Sequence, residues 1–554
     1  SGRYTQLLTD GIPNFGGLSS GFSLTQVPPL NLRQVEVVKG AASALYGPDA
    51  ISGVVNFITK EPSEHPEYTA LINKTTQQGF DAALFIAQRY NEAGATLLFS
   101  RNTQEQFDVD YDNYADIAGF TRISVTPKLT YDFSDELKTK VTFSYTSEER
   151  TGGIMHASSI IATATSPYAE KIHTERRDIS THTTYDYSST QSFSLKAAGT
   201  SLTRDAEYGV NPFNATQRMF YVDAQYSTRW DEHSLLLGIA YGSDELEDRT
   251  ANITMVRDYV YRSPALFVQD EMKMNEEITL LASGRIDIHN QFGTFLTPRL
   301  SLMVRPGASF TVRIGGGTGF KAPTVFIEEV EELGFKNLHP LKDISTEKSQ
   351  SGSLDVNWNS LVGNLGITVN GAFYVTRLES ALLLDDDSLA NSILFLRNAT
   401  GATLSRGGEV SLKLAYEDFK LSLGYTYLYS LQEDKGITRD VALNPRHSFG
   451  AILFYEQHES QLKIGLENYW TSFQRLERNP WRNYSPDYWI TGLIAEKGFG
   501  IIRLFINFEN IFDTRQTRFE PIYDGNPASG NFMPLEIYAP LEGRVINGGV
   551  RIVM

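Results

Sequence analysis

Polar and apolar residues alternate along most of this chain. Between Leu137 and Tyr145, Leu137, Thr139, Val141, Phe143 and Tyr145 take one face, and Lys138, Lys140, Thr142 and Ser144 take the other. That period of two marks a β-strand. The pattern returns at Phe220, Val222, Ala224 and Tyr226, at Phe310, Val312 and Ile314, and at Val410, Leu412, Leu414 and Tyr416. It runs on through Leu421, Leu423, Tyr425, Tyr427 and Tyr429, so only Glu417, Asp418 and Phe419 separate two alternating runs. Such spacing predicts a tight hairpin turn. Residues 449–470 repeat the design, with His458, Glu459 and Ser460 at the turn.

Short polar turns of this kind alternate with longer irregular stretches at 151–175, 204–217, 325–348, 474–487 and 514–541. Brief turns at one rim and long loops at the other are the pattern of a transmembrane β-barrel. Tyrosine and tryptophan gather near strand ends, as at Tyr425, Tyr427 and Tyr429 and at Tyr469 and Trp470, where amphipathic rings suit a membrane interface. No apolar run is long enough for a membrane helix, and mean hydropathy is slightly negative. Barrel strands carry polar residues on their lumen face, so low average hydropathy does not argue against spanning. A soluble β-sandwich or propeller shares the alternation and remains open on periodicity alone.

Composition narrows the classes. The chain of 554 residues holds 28 Tyr, 32 Phe and 44 Gly and no cysteine, which rules out thiol catalysis and thiolate metal sites. Its net charge of −17 comes with no basic arm or stripe, so nucleic acid is not an expected partner. No HExxH motif is present and no nucleophile can be placed with a base, so no enzyme activity and no cofactor are expected.

Residues 1–62 differ in kind. They combine a Gly/Ser-rich loop, a proline pair and two strand-like runs at 34–38 and 54–58, with a helical turn between the runs punctuated by Gly40, Gly47 and Gly53. No GxxxxGK[ST] motif follows a strand, so this is not a phosphate-cradling loop.

Residues 33–60, RQVEVVKGAASALYGPDAISGVVNFITK, strongly resemble the most characteristic stretch of the plug domain of TonB-dependent outer-membrane receptors. Further family-like phrases follow in order: TPRLSL at 297–302, GFKAPT at 319–324, LHPLKDISTEKSQ at 338–350, NPRH at 444–447, ENIFD at 509–513 and a closing GRVINGGVRIVM. The terminal Met554 departs from the aromatic residue with which such barrels commonly end. The resemblance implies the C-terminal part of a plug at 1–62, in the lumen of a barrel at 63–554. About 490 residues at roughly 22 per strand and connection give an all-β membrane protein with an antiparallel transmembrane barrel of about 22 strands, the size class whose lumen is plugged. A porin of 16 or 18 strands is the alternative. Segments the family carries ahead of the plug's second half, a signal peptide and a coupling motif among them, are not visible before Ser1.

Energised import across the outer membrane of a Gram-negative bacterium is the implied function. The expected partners are a TonB-type energy-coupling complex of the inner membrane, the lipid bilayer with its lipopolysaccharide, a small metal-chelate ligand and a possible surface lipoprotein. A ferric siderophore is the expected ligand, with cobalamin, haem, copper or a glycan as alternatives on the same scaffold and a passive porin or adhesion receptor as the different class.

Residues 13–24, PNFGGLSSGFSL, lie where the family places an apical loop beneath the ligand. There Phe15 and Phe22 can stack, and Asn14, Ser19 and Ser20 can hydrogen-bond, or the loop is simply flexible. Arg33, Glu36 and Lys39 read as plug ion pairs that water can replace when the plug moves. Met155 and His156 offer a thioether and an imidazole to a soft metal or metal macrocycle, or are incidental; His173 and His182 are spaced too widely to join them. Arg204, Tyr208, Phe213 and Arg218 suit an anionic aromatic ligand. Asp385, Asp386 and Asp387 could hold Ca²⁺ or form a solvated loop. No metal ligand set is assigned.

Overall fold

The computed structural model describes residues 3–14, 18, 28–40, 42–157, 163, 166–251, 257–335, 337–385, 393–529 and 531–554. Twenty-two antiparallel staves form a closed barrel in which the last, Val545–Val553, pairs with the first, Glu67–Thr75. One stave is broken: Ile437–Asp440 and His447–Gln457 both pair with Phe419–Asp434. Among the described residues no helix is long and apolar enough to cross a membrane, and a closed barrel is the other fold that can, because every strand edge is paired.

Alternation sets the orientation of each stave. On Leu137–Gly153, Phe143 and Tyr145 are exposed on the outer surface, while Lys140 turns inward to Glu61 at 3.0 Å. Val410 is exposed outward on Thr403–Tyr416, and Glu409 points inward to Lys39. Periplasmic turns are short because a reversal of the chain needs few residues where one of them tolerates a left-handed backbone. Asn91, Asp231 and Glu417 take φ of 51°, 42° and 50° at such turns.

Several expected boundaries shift. The stretch 204–217 is not a loop: Gln191–Tyr208 and Asn211–Trp230 pair continuously up to Tyr208 and Asn211, with a turn of Gly209 and Val210 between them. Its polar, irregular composition reflects strands that continue beyond the membrane, where both faces meet water or packed loops. Crossing a bilayer takes about 9–11 residues, whereas Ala169–Ser188 and Asn211–Trp230 have 20 each. Phe419 belongs to its strand, leaving only Glu417 and Asp418 in that turn. The 151–175 stretch shrinks at both ends, since strands run to Gly153 and restart at Ala169.

Inside the barrel sits a four-stranded sheet of β1 (Thr5–Thr9), β2 (Ile12–Pro13), β3 (Leu32–Lys39) and β4 (Gly53–Thr59), in the order β2-β1-β4-β3. β1 runs parallel to β4, and β3 antiparallel to it. The helical turn α1 (Ser43–Tyr46) joins β3 to β4, and Leu8, Ala42, Ala50 and Val54 form a small core beneath it. Gly53 is required where it stands: at φ 149° a Cβ there would lie 2.3 Å from the Val38 carbonyl oxygen.

Candidate ligand mouth and plug contacts

Tall strands and long loops build the outer mouth. The loop 322–346, with its short helix α2 (Glu328–Glu332), folds inward and buries Val325, Ile327, Val330 and Phe335 against Leu202, Phe213 and Leu246 of the wall and Leu18 of the plug. Phe213 and Phe335 stack with centroids 4.1 Å apart. From one side Arg204 holds Glu331 at 3.1 Å, and from the loop 472–487 Arg478 contacts Glu332. An apolar seat with ion pairs on both flanks thus fixes the loop over the plug apex.

This cover decides where the sequence-derived ligand residues lie. Arg204, Tyr208 and Phe213 are all buried beneath the loop, whereas Arg218 is exposed and pairs with Glu247 at 3.2 Å. Asn14 accepts a hydrogen bond from Arg176 of the wall at 2.7 Å. Phe15, Ser19, Ser20 and Phe22 lie outside the described residues, as do Asp386 and Asp387; Asp385 pairs with Arg397 at 3.2 Å. Met155 is half-buried and His156 exposed, and the Met155 N–H donates to the Asn113 carbonyl at 2.9 Å. His173 and His182 share one strand, His173 lying within 4.0 Å of Glu149 and Glu175 and His182 near its periplasmic end.

Asn113 belongs to a loop that sequence reasoning passed over. In DVDYDNYAD, Asp108, Asp110 and Asp116 bring one carboxylate oxygen each within 4.8 Å of one another. Burial, reinforced by the neighbouring aspartates, pushes Asp110 up to about 6 and Asp116 up to about 7. The alternating aspartates were the available signal. The outer loops also expose Trp481, Tyr484 and Phe395, aromatic surface that strand periodicity could not single out.

The plug is tied to the wall by polar contacts of unequal burial. Glu347, fully buried at the outer end of Glu347–Val362, accepts hydrogen bonds from Arg3 at 2.9 Å, from the Tyr4 hydroxyl at 2.8 Å and from the Leu382 N–H at 2.8 Å. Asp49 pairs with Lys321 at 2.6 Å. Of the three expected plug charges, Lys39 meets Glu409 on the wall, and Glu36 accepts from Asn56 at 3.0 Å and Gln34 at 2.7 Å within the plug. Arg33 has no ion pair among the described residues. Periodicity gave no hint of Glu347, because its role depends on a partner more than three hundred residues away.

Over residues 65–511 the chain matches the family described as TonB dependent receptor-like, beta-barrel, and over residues 1–54 the TonB-dependent Receptor Plug Domain. An iron-regulated outer membrane virulence protein of Vibrio cholerae serotype O1 is 24% identical over 496 residues, covering 82% of this chain and 72% of the relative. The vitamin B12 transporter BtuB of Vibrio vulnificus is 23% identical over 361 residues, 63% of this chain and 56% of the relative. Among solved structures, the ferric enterobactin receptor PfeA of Pseudomonas aeruginosa in complex with enterobactin superposes with a TM-score of 0.79 at 15% identity, covering all of this chain and 92% of that one. The siderophore receptor PirA of Acinetobacter baumannii gives 0.79 at 15%, covering all of this chain and 91% of that one.

Proposed function

We propose, for a chain that belongs to the TonB-dependent receptors of the outer membrane, that the imported ligand is a ferric siderophore. Receptors of this family draw energy through TonB and bind a small ligand, and their fold is that of transporters rather than enzymes. Residues 1–62 act as the plug and 63–554 as the barrel. The observation that carries the ligand choice is a set of exposed aromatic rings on the outer loops, Trp481, Tyr484 and Phe395 among them, with Arg482 next to Trp481 in the chain. Planar iron-binding groups stack on such rings, and their anionic oxygens pair with guanidinium. The names of the relatives, one iron-regulated and two siderophore receptors, support the same choice.

Ligand contacts come first from exposed His156 with Met155 beside it, and from Asn14, Phe15, Ser19, Ser20 and Phe22 of the plug apex, whereas Arg218 shares its strand face with outward-facing Phe220 and stays with Glu247. Arg204, Tyr208 and Phe213 join only when the 322–346 loop lifts. Cobalamin is the second reading, favoured by the resemblance to BtuB. Equilibrium binding of ferric enterobactin and of cyanocobalamin to the purified receptor tests both: binding of the ferric chelate alone supports the proposal. Binding of cobalamin alone would replace the ligand and leave the transporter standing.

A further inference from the structure

On the periplasmic side of the plug, a cavity of about 520 Å³ separates the sheet from the wall strands Leu137–Gly153, Ala169–Ser188, Gln191–Tyr208, Asn211–Trp230 and His233–Asp248. Asp10, Gly11, Arg33, Asn56, Thr59 and Glu61 line it on the plug side. Lys140, His182, Lys196, Tyr221 and Asp223 line it on the wall. All five wall residues lie in the periplasmic halves of their strands.

Most charges here are matched. Glu61 pairs with Lys140 at 3.0 Å and with Lys128 at 3.5 Å. Asp10 accepts the backbone N–H and hydroxyl of Thr59 at 2.9 and 2.7 Å and lies 3.7 Å from Lys128. Two cations are left over: Lys196 and Arg33 have neither a hydrogen bond nor an ion pair among the described residues. Asp223 stands directly across the strand pair from Lys196, yet the two do not form an ion pair. One Asp223 oxygen takes the Tyr221 hydroxyl at 3.1 Å, and the other is buried without a hydrogen-bond partner. The Lys196 ammonium instead reaches across to the Asp10–Gly11 turn, where a Cβ on Gly11 would sit 3.0 Å from Nζ. Asp10 of that turn is engaged with Thr59 and Lys128 and forms no ion pair with Lys196. His182 donates to or accepts from Ser194 at 3.0 Å through Nε2, and its Nδ1 is buried without a partner.

We propose that this cavity is a second binding station, for an oxyanion group, on the way from the mouth to the periplasm. Lys196 is its principal contact from the wall, Arg33 approaches from the plug, and the His182 ring supplies a hydrogen bond through Nδ1. The volume falls within the range of small-molecule sites, and among the described residues the two cations without ion pairs, Lys196 and Arg33, outnumber the one carboxylate without one, Asp223. A half-buried ammonium that bypasses the carboxylate opposite it and faces open space is available to an anion that arrives and leaves. This rests on the import reading. The passing oxyanion is then the ligand's own carboxylate or catecholate, and free periplasmic phosphate shares its chemistry.

The test uses the full-length receptor in energised cells, with radiolabelled ferric enterobactin as the probe. Lys196→Met is expected to lower the uptake rate about tenfold while leaving equilibrium binding to de-energised cells at the wild-type level, and Lys196→Arg to restore uptake. Arg33→Gln should act in the same direction from the opposite side of the cavity. Wild-type uptake by Lys196→Met would overturn the station, and so would a loss of surface binding in step with uptake. If the wild-type receptor binds no ferric enterobactin, the ligand choice fails and the station is decided separately. Acylation of Lys196 in purified receptor by an amine-reactive ester, read by mass spectrometry, should then be slowed by inorganic phosphate; unchanged labelling would overturn it.

Discussion

The two walls of the lumen treat the plug differently. Along the strands between Tyr259 and Val362, the plug is keyed in: α1 packs on four consecutive staves, Glu347 gathers Arg3, Tyr4 and the Leu382 backbone, and Asp49 meets Lys321. Gly319 lets Ser43 and Ile51 approach the wall closely there. Along the strands between Leu137 and Asp248, Leu18 at the apex joins the apolar cluster of the mouth, but the periplasmic half of the plug stands off behind a polar cavity, held by the half-exposed pair Lys140–Glu61. A stopper whose periplasmic half is held by dry, interlocking contacts on one side and by water-replaceable ones on the other yields first there, on the second side.

That asymmetry can be broken, starting with its strongest element. Glu347→Ala leaves Arg3 without its carboxylate and should loosen the plug by about 3 kcal/mol, as removal of one partner of a buried pair does. Hydrogen exchange of residues 3–9 should accelerate accordingly, together with residues 382–384 of the outer loop; protection unchanged in both would remove Glu347 from the key. Gly319→Val places side-chain atoms where Ser43 Oγ would lie 2.7 Å from the new Cβ. This overpacking should cost about 1–3 kcal/mol and admit large antibiotics, measured as increased vancomycin sensitivity. Lys140→Met on the standoff side should change plug protection by less than about 1 kcal/mol, because both partners keep access to water. A loss there as large as that of Glu347→Ala would erase the distinction between the walls.

Much of this architecture could be read from residues alone. Alternation placed lipid-facing Phe143, Tyr145 and Val410 opposite lumen-facing Lys140 and Ser411, because a strand allows only two faces and the bilayer demands one of them. The glycines at 40, 47 and 53 marked turns that do take positive φ. Reading failed where strands outrun the membrane: 204–217 looked like a loop, since beyond the bilayer the apolar face is no longer imposed from outside. Arg204, Tyr208 and Phe213 read, with Arg218, as a set suited to an anionic aromatic ligand. What lies over them, however, is Phe335 and Glu331 of a loop more than a hundred residues later.

By itself, then, the sequence determined the barrel, its approximate number of staves, which residues face lipid and where the plug begins its characteristic turn. The facing of residues follows from local periodicity, whereas the barrel and its size rest on the contiguous plug motif and the length of chain that follows it. Tertiary structure alone decided which charges are matched. Glu347 finds Arg3 and Lys39 finds Glu409, while Lys196 is left facing a cavity although Asp223 is its cross-strand neighbour. Pairing across a lumen depends on how a separately folded plug is rotated inside a closed wall, and no periodicity along either segment encodes that rotation.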